Sequence, residues 1–185
     1  MGKTSVAKAL ASKLKAQRIS LSELVEKENL ALEVDEKRDT VVADLRKTSK
    51  RIKEIIREST GDVIVEGHYA QDVVPKSLAP YVFVLRRDPE ELKTEFESRG
   101  YGEQKIAENV TSEILDICLI EAIRKYGLER VDEIDTTKRS VEEVVDEVLK
   151  VLDGQRKCRA GTVDWLGKLE AEGRLDKVLP LLNKT

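Results

Sequence analysis

Apolar and polar positions along the chain divide it into helices separated by short apolar runs. Val6, Leu10 and Leu14 recur at i, i+4 and i+8, with Lys8 and Lys13 among the polar positions, and predict a helix over 4–16. Ile19 opens a short extended piece. Ser20 has Glu23 three residues on, a capping-box spacing that predicts a helix through about Lys27. Residues 28–44 are mixed and acidic, with weak periodicity. A longer helix follows over about 45–59, with Arg46, Lys47, Lys50, Arg51 and Lys53 on a solvated face.

Val63, Ile64 and Val65 stand in a row after Gly61-Asp62 and end at Glu66-Gly67, a buried-strand signal. A second run covers Tyr81 to Leu85. Asp88 and Pro89 then open a helix as cap and first-turn residue. A Gly-containing basic loop, Arg99 to Lys105, precedes a predicted helix over about 106–126, and a last short strand lies near 130–134. Val141, Val144, Val145, Val148 and Leu149 give one face of a helix over 140–152. Strands separated by helices predict a parallel α/β sheet with right-handed crossovers. The composition changes at Gly154-Gln155-Arg156-Lys157, and the tail beyond it reads as short helices docked through Trp165 and the leucines.

Composition sharpens this picture by exclusion. At 185 residues, one domain with a real core is the default. The 33 Lys and Arg nearly balance the 36 Asp and Glu, so the net charge of -3 argues against commitment to nucleic acid by bulk charge, and no sequence-specific nucleic-acid binding is expected. Cys118 and Cys158 make no metal spacing and no disulfide framework, and both read as reduced thiols. No apolar run approaches a membrane span, and the N-terminus has no apolar targeting core. The expected location is cytoplasmic, or nuclear if the source is eukaryotic.

The candidate chemistry begins at Gly2-Lys3-Thr4. The tripeptide reads as the end of a phosphate-binding loop, G-x-x-x-x-G-K-[ST], or as a chance match before a helix. A helix N-terminus offers N–H groups and a positive dipole end to phosphate. The helix starting at that point, the α/β pattern and the acidic strand end at Glu66 favour the loop. Its first half and the strand before it would lie ahead of Met1. The sequence is therefore expected to start late, and ATP binding by these 185 residues to be weak.

Further along, VFVLRRD (82–88) is followed by R-G-Y-x-x-x-K-x-x-x-N-x-x-x-E-I through Arg99, Gly100, Tyr101, Lys105, Asn109, Glu113 and Ile114. With SELVEKENL and VIVEGHYAQDVVP upstream, this resembles the atypical adenylate kinases, the isoenzyme 6 type also known as nuclear or ribosome-assembly adenylate kinases, with archaeal members. The likeness covers roughly residues 2–152. It implies a P-loop nucleoside-monophosphate-kinase fold with sheet order 2-3-1-4-5, here with strand 1 missing. It implies a kinase domain over 1–153, an NMP region over about 18–41, a lid over about 98–108 and a helical tail over 154–185. It also implies ATP and magnesium as cofactors and AMP or another NMP as substrate. Ribosomal protein uS11 and the small ribosomal subunit precursor are implied as partners, through a role in ribosome biogenesis and rRNA processing.

By position, Gly2, Lys3, Thr4 and Ser5 look like the ATP-binding half-loop, and Arg99 like the lid arginine. Glu66 stands where the family usually has Asp, with His68 two residues on. The arginine expected near 26–27 is replaced by Glu26-Lys27. From the residues themselves, Thr4 and Glu66 are candidate magnesium groups, and His68 is a candidate for orienting a water or a phosphate. Their plain alternatives are a turn carboxylate and an ordinary histidine. Arg86 and Arg87 leave a strand at its carboxyl end, where α/β sheets bind ligands; Arg86 is the candidate for adenine or phosphate. Lys105 joins Arg99 in the loop that would close on the triphosphate. Asp135, Thr136 and Thr137 follow the last strand, and Thr136 is a candidate for the adenine pocket. Trp165 reads as a core anchor. Two activities follow, a phosphoryl transferase and an ATPase switch in subunit assembly, with an inactive truncated product as a third reading.

Overall fold

The computed structural model describes residues 2–35 and 40–182. Its elements are α1 (Lys3–Leu14), β1 (Gln17–Ser20), α2 (Leu21–Lys27), β2 (Ala31–Asp35), β3 (Thr40–Ala43), α3 (Leu45–Glu58), β4 (Val63–Glu66) and α4 (Ala70–Val73). These are followed by β5 (Val82–Arg86), α5 (Pro89–Ser98), α6 (Glu103–Ile114), α7 (Ile117–Tyr126), β6 (Val131–Asp135), α8 (Val141–Leu152), α9 (Trp165–Ala171) and α10 (Leu175–Leu182). The contacts divide the chain into two units, Gly2–Tyr81 with Ser140–Arg156, and Val82–Arg139 with Lys157–Thr185. Helix α8 falls in the first of these units and the tail in the second.

In the first unit β1 and β4 pair in parallel, Gln17 opposite Val63 through Ser20 opposite Glu66. Helix α1 packs on both strands and on α8. Its buried stripe is Val6, Ala7, Leu10 and Ala11, and α8 buries Val144, Val145, Val148 and Val151. The start of α8 is fixed by a capping box between Ser140 and Glu143. Within the stretch 28–44, read as weakly periodic, β2 and β3 pair antiparallel, with a register shift between Ala31 and Glu33. Leu32 falls at that shift and is exposed. With Leu32 and Val41 both exposed, this pair shows no clean apolar alternation. Part of the NMP region, 36–39, lies outside the described residues.

In the second unit β5 and β6 pair in parallel, Val82 opposite Val131 through Arg86 opposite Asp135. Each parallel pair joins two strands that are neighbours in the order 2-3-1-4-5. The expected single helix over 106–126 is two helices. Asp116 breaks it with a left-handed backbone at φ 56°, and the Glu113 carbonyl at the end of α6 accepts from Arg86 Nη2 at 2.8 Å. Leu92, Phe96, Ile106, Ala107, Val110 and Ile114 form a core that Leu169 and Val178 of the tail complete. Trp165 is 1% exposed, as a core anchor should be.

Asp88 ties α5 to the tail. Its carboxylate accepts from the backbone N–H groups of Glu90 and Glu91 and from Arg174 at 2.8 Å. Burial acts to raise the Asp88 carboxyl, but Arg174 and these N–H groups outweigh it and hold its pKa below the ordinary aspartate value. A depressed carboxylate contributes stability that is present above its unfolded pKa of about 4 and lost as pH falls through the folded value. Asp88→Asn is therefore expected to cost about 1–2 kcal/mol at neutral pH. Thermal melts of the two proteins should converge as the pH drops below about 4.

Candidate functional site

Gly2 precedes α1 in a left-handed conformation, φ 62°, and no side chain caps the helix. Such a start leaves the first-turn N–H groups facing outward, with the positive end of the dipole behind them. Lys3, Thr4 and Ser5 form that first turn. From the other side, β4 delivers Glu66, and the chain turns at Gly67 to present His68. A side chain at Gly67 would meet Leu21 Cδ1 at 2.7 Å, so this close approach requires glycine.

The four residues meet. The Thr4 hydroxyl donates to Glu66 Oε2 at 3.2 Å. Lys3 Nζ lies 3.4 Å from His68 Nδ1, where an ammonium donates to an unprotonated ring nitrogen. The arrangement contains a residue that the sequence reading passed over. Arg18 donates through Nη1 to Glu66 Oε1 at 2.7 Å and through Nη2 to Glu23 at 2.8 Å. The strand register explains it: Arg18 pairs with Ile64 and Ser20 with Glu66, so Arg18 and Glu66 share a face of the two-stranded sheet. Only the signal of an arginine two residues before a strand end could have marked it.

Thr4 and Glu66 offer a hydroxyl and a carboxylate, hard oxygen donors of the kind magnesium takes when it arrives with substrate phosphates. That donor set fits the metal the family implies.

A family profile described as an AAA domain matches residues 1–116. Curated relatives include a protein named "Putative adenylate kinase" from Methanocaldococcus jannaschii, 40% identical over 168 residues, which covers 91% of this chain and 89% of that one. Its counterpart under the same name in Methanosarcina barkeri is 38% identical over 174 residues, 89% and 92% of the two chains. Another from Pyrococcus abyssi is 34% identical over 166 residues, 89% and 86%. The chain belongs to the atypical adenylate kinase family. Its fold is the P-loop α/β type, with parallel strands flanked by helices. No helix among the described residues is long and apolar enough to cross a membrane.

The R-G-Y-x-x-x-K-x-x-x-N-x-x-x-E-I string lies in the second unit. Tyr101, Lys105, Asn109 and Glu113 recur every four residues and so line one side of α6 and its approach. Tyr101 stacks on Phe96 at 5.2 Å, and Lys105 Nζ sits 4.7 Å above the Tyr101 ring. Asn109 donates to the Lys105 carbonyl at 2.7 Å. Arg99 closes α5, is 53% exposed in its side chain and pairs with Glu95 one turn back.

Arg86 is employed differently from its expected contact with adenine or phosphate. It is 2% exposed. Its Nε and Nη1 donate to Glu113 Oε1 at 2.8 Å and Glu133 Oε1 at 2.6 Å. Its Nη2 donates to the Glu113 carbonyl and to Asp116. A guanidinium so committed acts as a structural cation in this geometry. Arg87 is half-exposed and pairs with Glu91 and Glu95. Thr136, after β6, donates its hydroxyl to the Arg86 carbonyl at 2.7 Å. Thr137 accepts from the Asp88 N–H at 2.9 Å.

Proposed function

We propose that this protein is an adenylate kinase that transfers the γ-phosphoryl of ATP to AMP or another nucleoside monophosphate. The observation that carries the proposal is the meeting of Lys3, Thr4, Glu66 and His68 where a helix N-terminus faces the carboxyl end of a parallel strand. Phosphoryl transfer needs no protein nucleophile; positioning and charge neutralisation suffice. The first turn of α1, with Gly2 and Ser5 at its edges, is the cradle for phosphate. Lys3 places an ammonium against the β- and γ-oxygens. Thr4 and Glu66 would hold magnesium directly or through its water. That ion, when bound, would neutralise charge developing on the phosphates. His68 orients the acceptor or a water. On the resemblance, Arg99 is the expected lid cation, with Lys105 beside it in sequence, and Thr136 is the expected adenine contact.

On the resemblance alone, we extend the proposal to ATP hydrolysis and to a part in small-subunit maturation with ribosomal protein uS11. A coupled assay of ADP formation separates the two activities. AMP is expected to stimulate ADP release severalfold; equal rates with and without AMP would leave the ATPase reading in place of the kinase. Arg99→Ala is expected to lower kcat by roughly a hundredfold with ATP affinity little changed, because a lid arginine acts mainly on the transition state. Weakened ATP binding at an unchanged rate would make it a ground-state contact.

A further inference from the structure

Glu66 does not offer its two oxygens equally. Oε1 is taken by Arg18 at 2.7 Å, while Oε2 faces the Thr4 hydroxyl at 3.2 Å. Arg18 is itself held from behind, since its Nη2 bonds Glu23 on α2 at 2.8 Å. The guanidinium is thus a two-pronged clamp between two carboxylates, and its planar fork fixes direction as well as charge. Its side chain is 17% exposed and that of Glu66 10%, so little water competes for the contact.

The two common divalent cations ask different things of a carboxylate. Calcium takes six to eight oxygens in flexible geometry and often binds a carboxylate through both oxygens. Magnesium demands near-ideal octahedral geometry, keeps several waters and is satisfied by one oxygen from each carboxylate. A Glu66 with one oxygen committed to Arg18 can meet the second demand and not the first.

We infer that Arg18 is a metal-selectivity residue, which holds Glu66 to a single available oxygen and so favours magnesium over calcium in the nucleotide complex. The inference rests on the kinase reading above, because it takes Thr4 and Glu66 as the metal-facing pair. Arg18 touches neither nucleotide nor metal in this account; it is a positioning residue that acts through Glu66. The Glu23 bond adds a second element to the device, because loosening Arg18 from α2 should loosen the carboxylate as well.

The test is calorimetric titration of ATP in saturating magnesium, in saturating calcium and with chelator alone. It uses the wild-type chain, Arg18→Met, Arg18→Lys and Glu23→Gln, each checked by thermal melt. The wild type is expected to bind ATP more tightly with magnesium than with calcium. Arg18→Met should shrink that preference about 10-fold, mainly by strengthening binding with calcium, in the range found when a metal ligand loses its supporting partner. Arg18→Lys should fall between, since it keeps the charge and loses the fork. Glu23→Gln should move the preference in the same direction by less. A preference unchanged in Arg18→Met at an unchanged melt would overturn the inference and leave the kinase reading standing. Should Arg18→Met fail to fold, an unchanged preference in Glu23→Gln and Arg18→Lys would overturn it equally. Wild-type binding that ignores both metals would instead remove the kinase reading, and this inference with it.

Discussion

Lys3→Ala is expected to slow phosphoryl transfer by roughly two hundred- to five-thousandfold, on the order of 3–5 kcal/mol of barrier. The ammonium stands at the first position of α1, 3.4 Å from His68 Nδ1 and one residue from the hydroxyl that meets Glu66. A charge fixed there needs no reorganisation when the γ-phosphoryl begins to move, and so it acts most on the transition state. Alanine is a good helix former, so α1 and its buried stripe should survive the change. Single-turnover measurement of ADP formation reads the effect directly. Wild-type turnover in the variant would show that the Gly-Lys-Thr segment is only the start of a helix.

Arg86→Leu should produce the largest loss of stability. It strands Glu113 and Glu133, both buried, and removes the partner of the Asp116 carboxylate and the Glu113 carbonyl. Breaking a buried ion pair from one side costs about 3–5 kcal/mol, because the remaining charges lose their compensation. For a chain of this size that corresponds to a fall in Tm of roughly 10 °C or more. The same centre holds the tail. Glu113 Oε1 accepts from Trp165 Nε1 at 2.8 Å, and Glu133 Oε2 accepts from the backbone of Thr162 and Val163 at 2.6 and 3.2 Å. Undocking of Trp165 should therefore accompany the loss and appear as a red shift of its fluorescence. Were Arg86 a nucleotide contact, the variant would lose ATP affinity at nearly constant Tm.

These expectations show where the sequence was legible and where it was not. Helices α1, α3, α5 and α8 were readable because each carries a one-sided apolar stripe or an explicit cap: Asp88 before Pro89, Ser140 before Glu143. β4 was readable as an uninterrupted apolar run. β6 was harder, because its Asp132 and Glu133 are buried to serve backbone N–H groups of the 159–163 segment and the Arg86 guanidinium. Period and hydropathy cannot anticipate a carboxylate whose partner is thirty residues away. The break at Asp116 was hidden too, since an aspartate in a left-handed conformation carries no periodicity signal.

The site itself divides in the same way. Lys3 and Thr4 announce themselves by spacing, and Glu66 and His68 by their place at a strand end. Arg18 is invisible until the register of β1 against β4 puts it on the Glu66 face. The most distinctive string in the chain, Arg99 to Ile114, carries much of its pattern for architectural reasons. Tyr101 stacks on Phe96, Asn109 bonds the Lys105 carbonyl, and Glu113 anchors Arg86 and Trp165.

Reversibility gives the most direct test of phosphoryl transfer at the Lys3–Thr4–Glu66 site. The protein is mixed with ADP and magnesium alone, and phosphorus NMR follows the products. A kinase of this type is predicted to make ATP and AMP in equal amounts from ADP, and the Lys3→Ala variant to make neither at a comparable rate. Hydrolysis of added ATP together with failure to form any ATP from ADP would contradict the account.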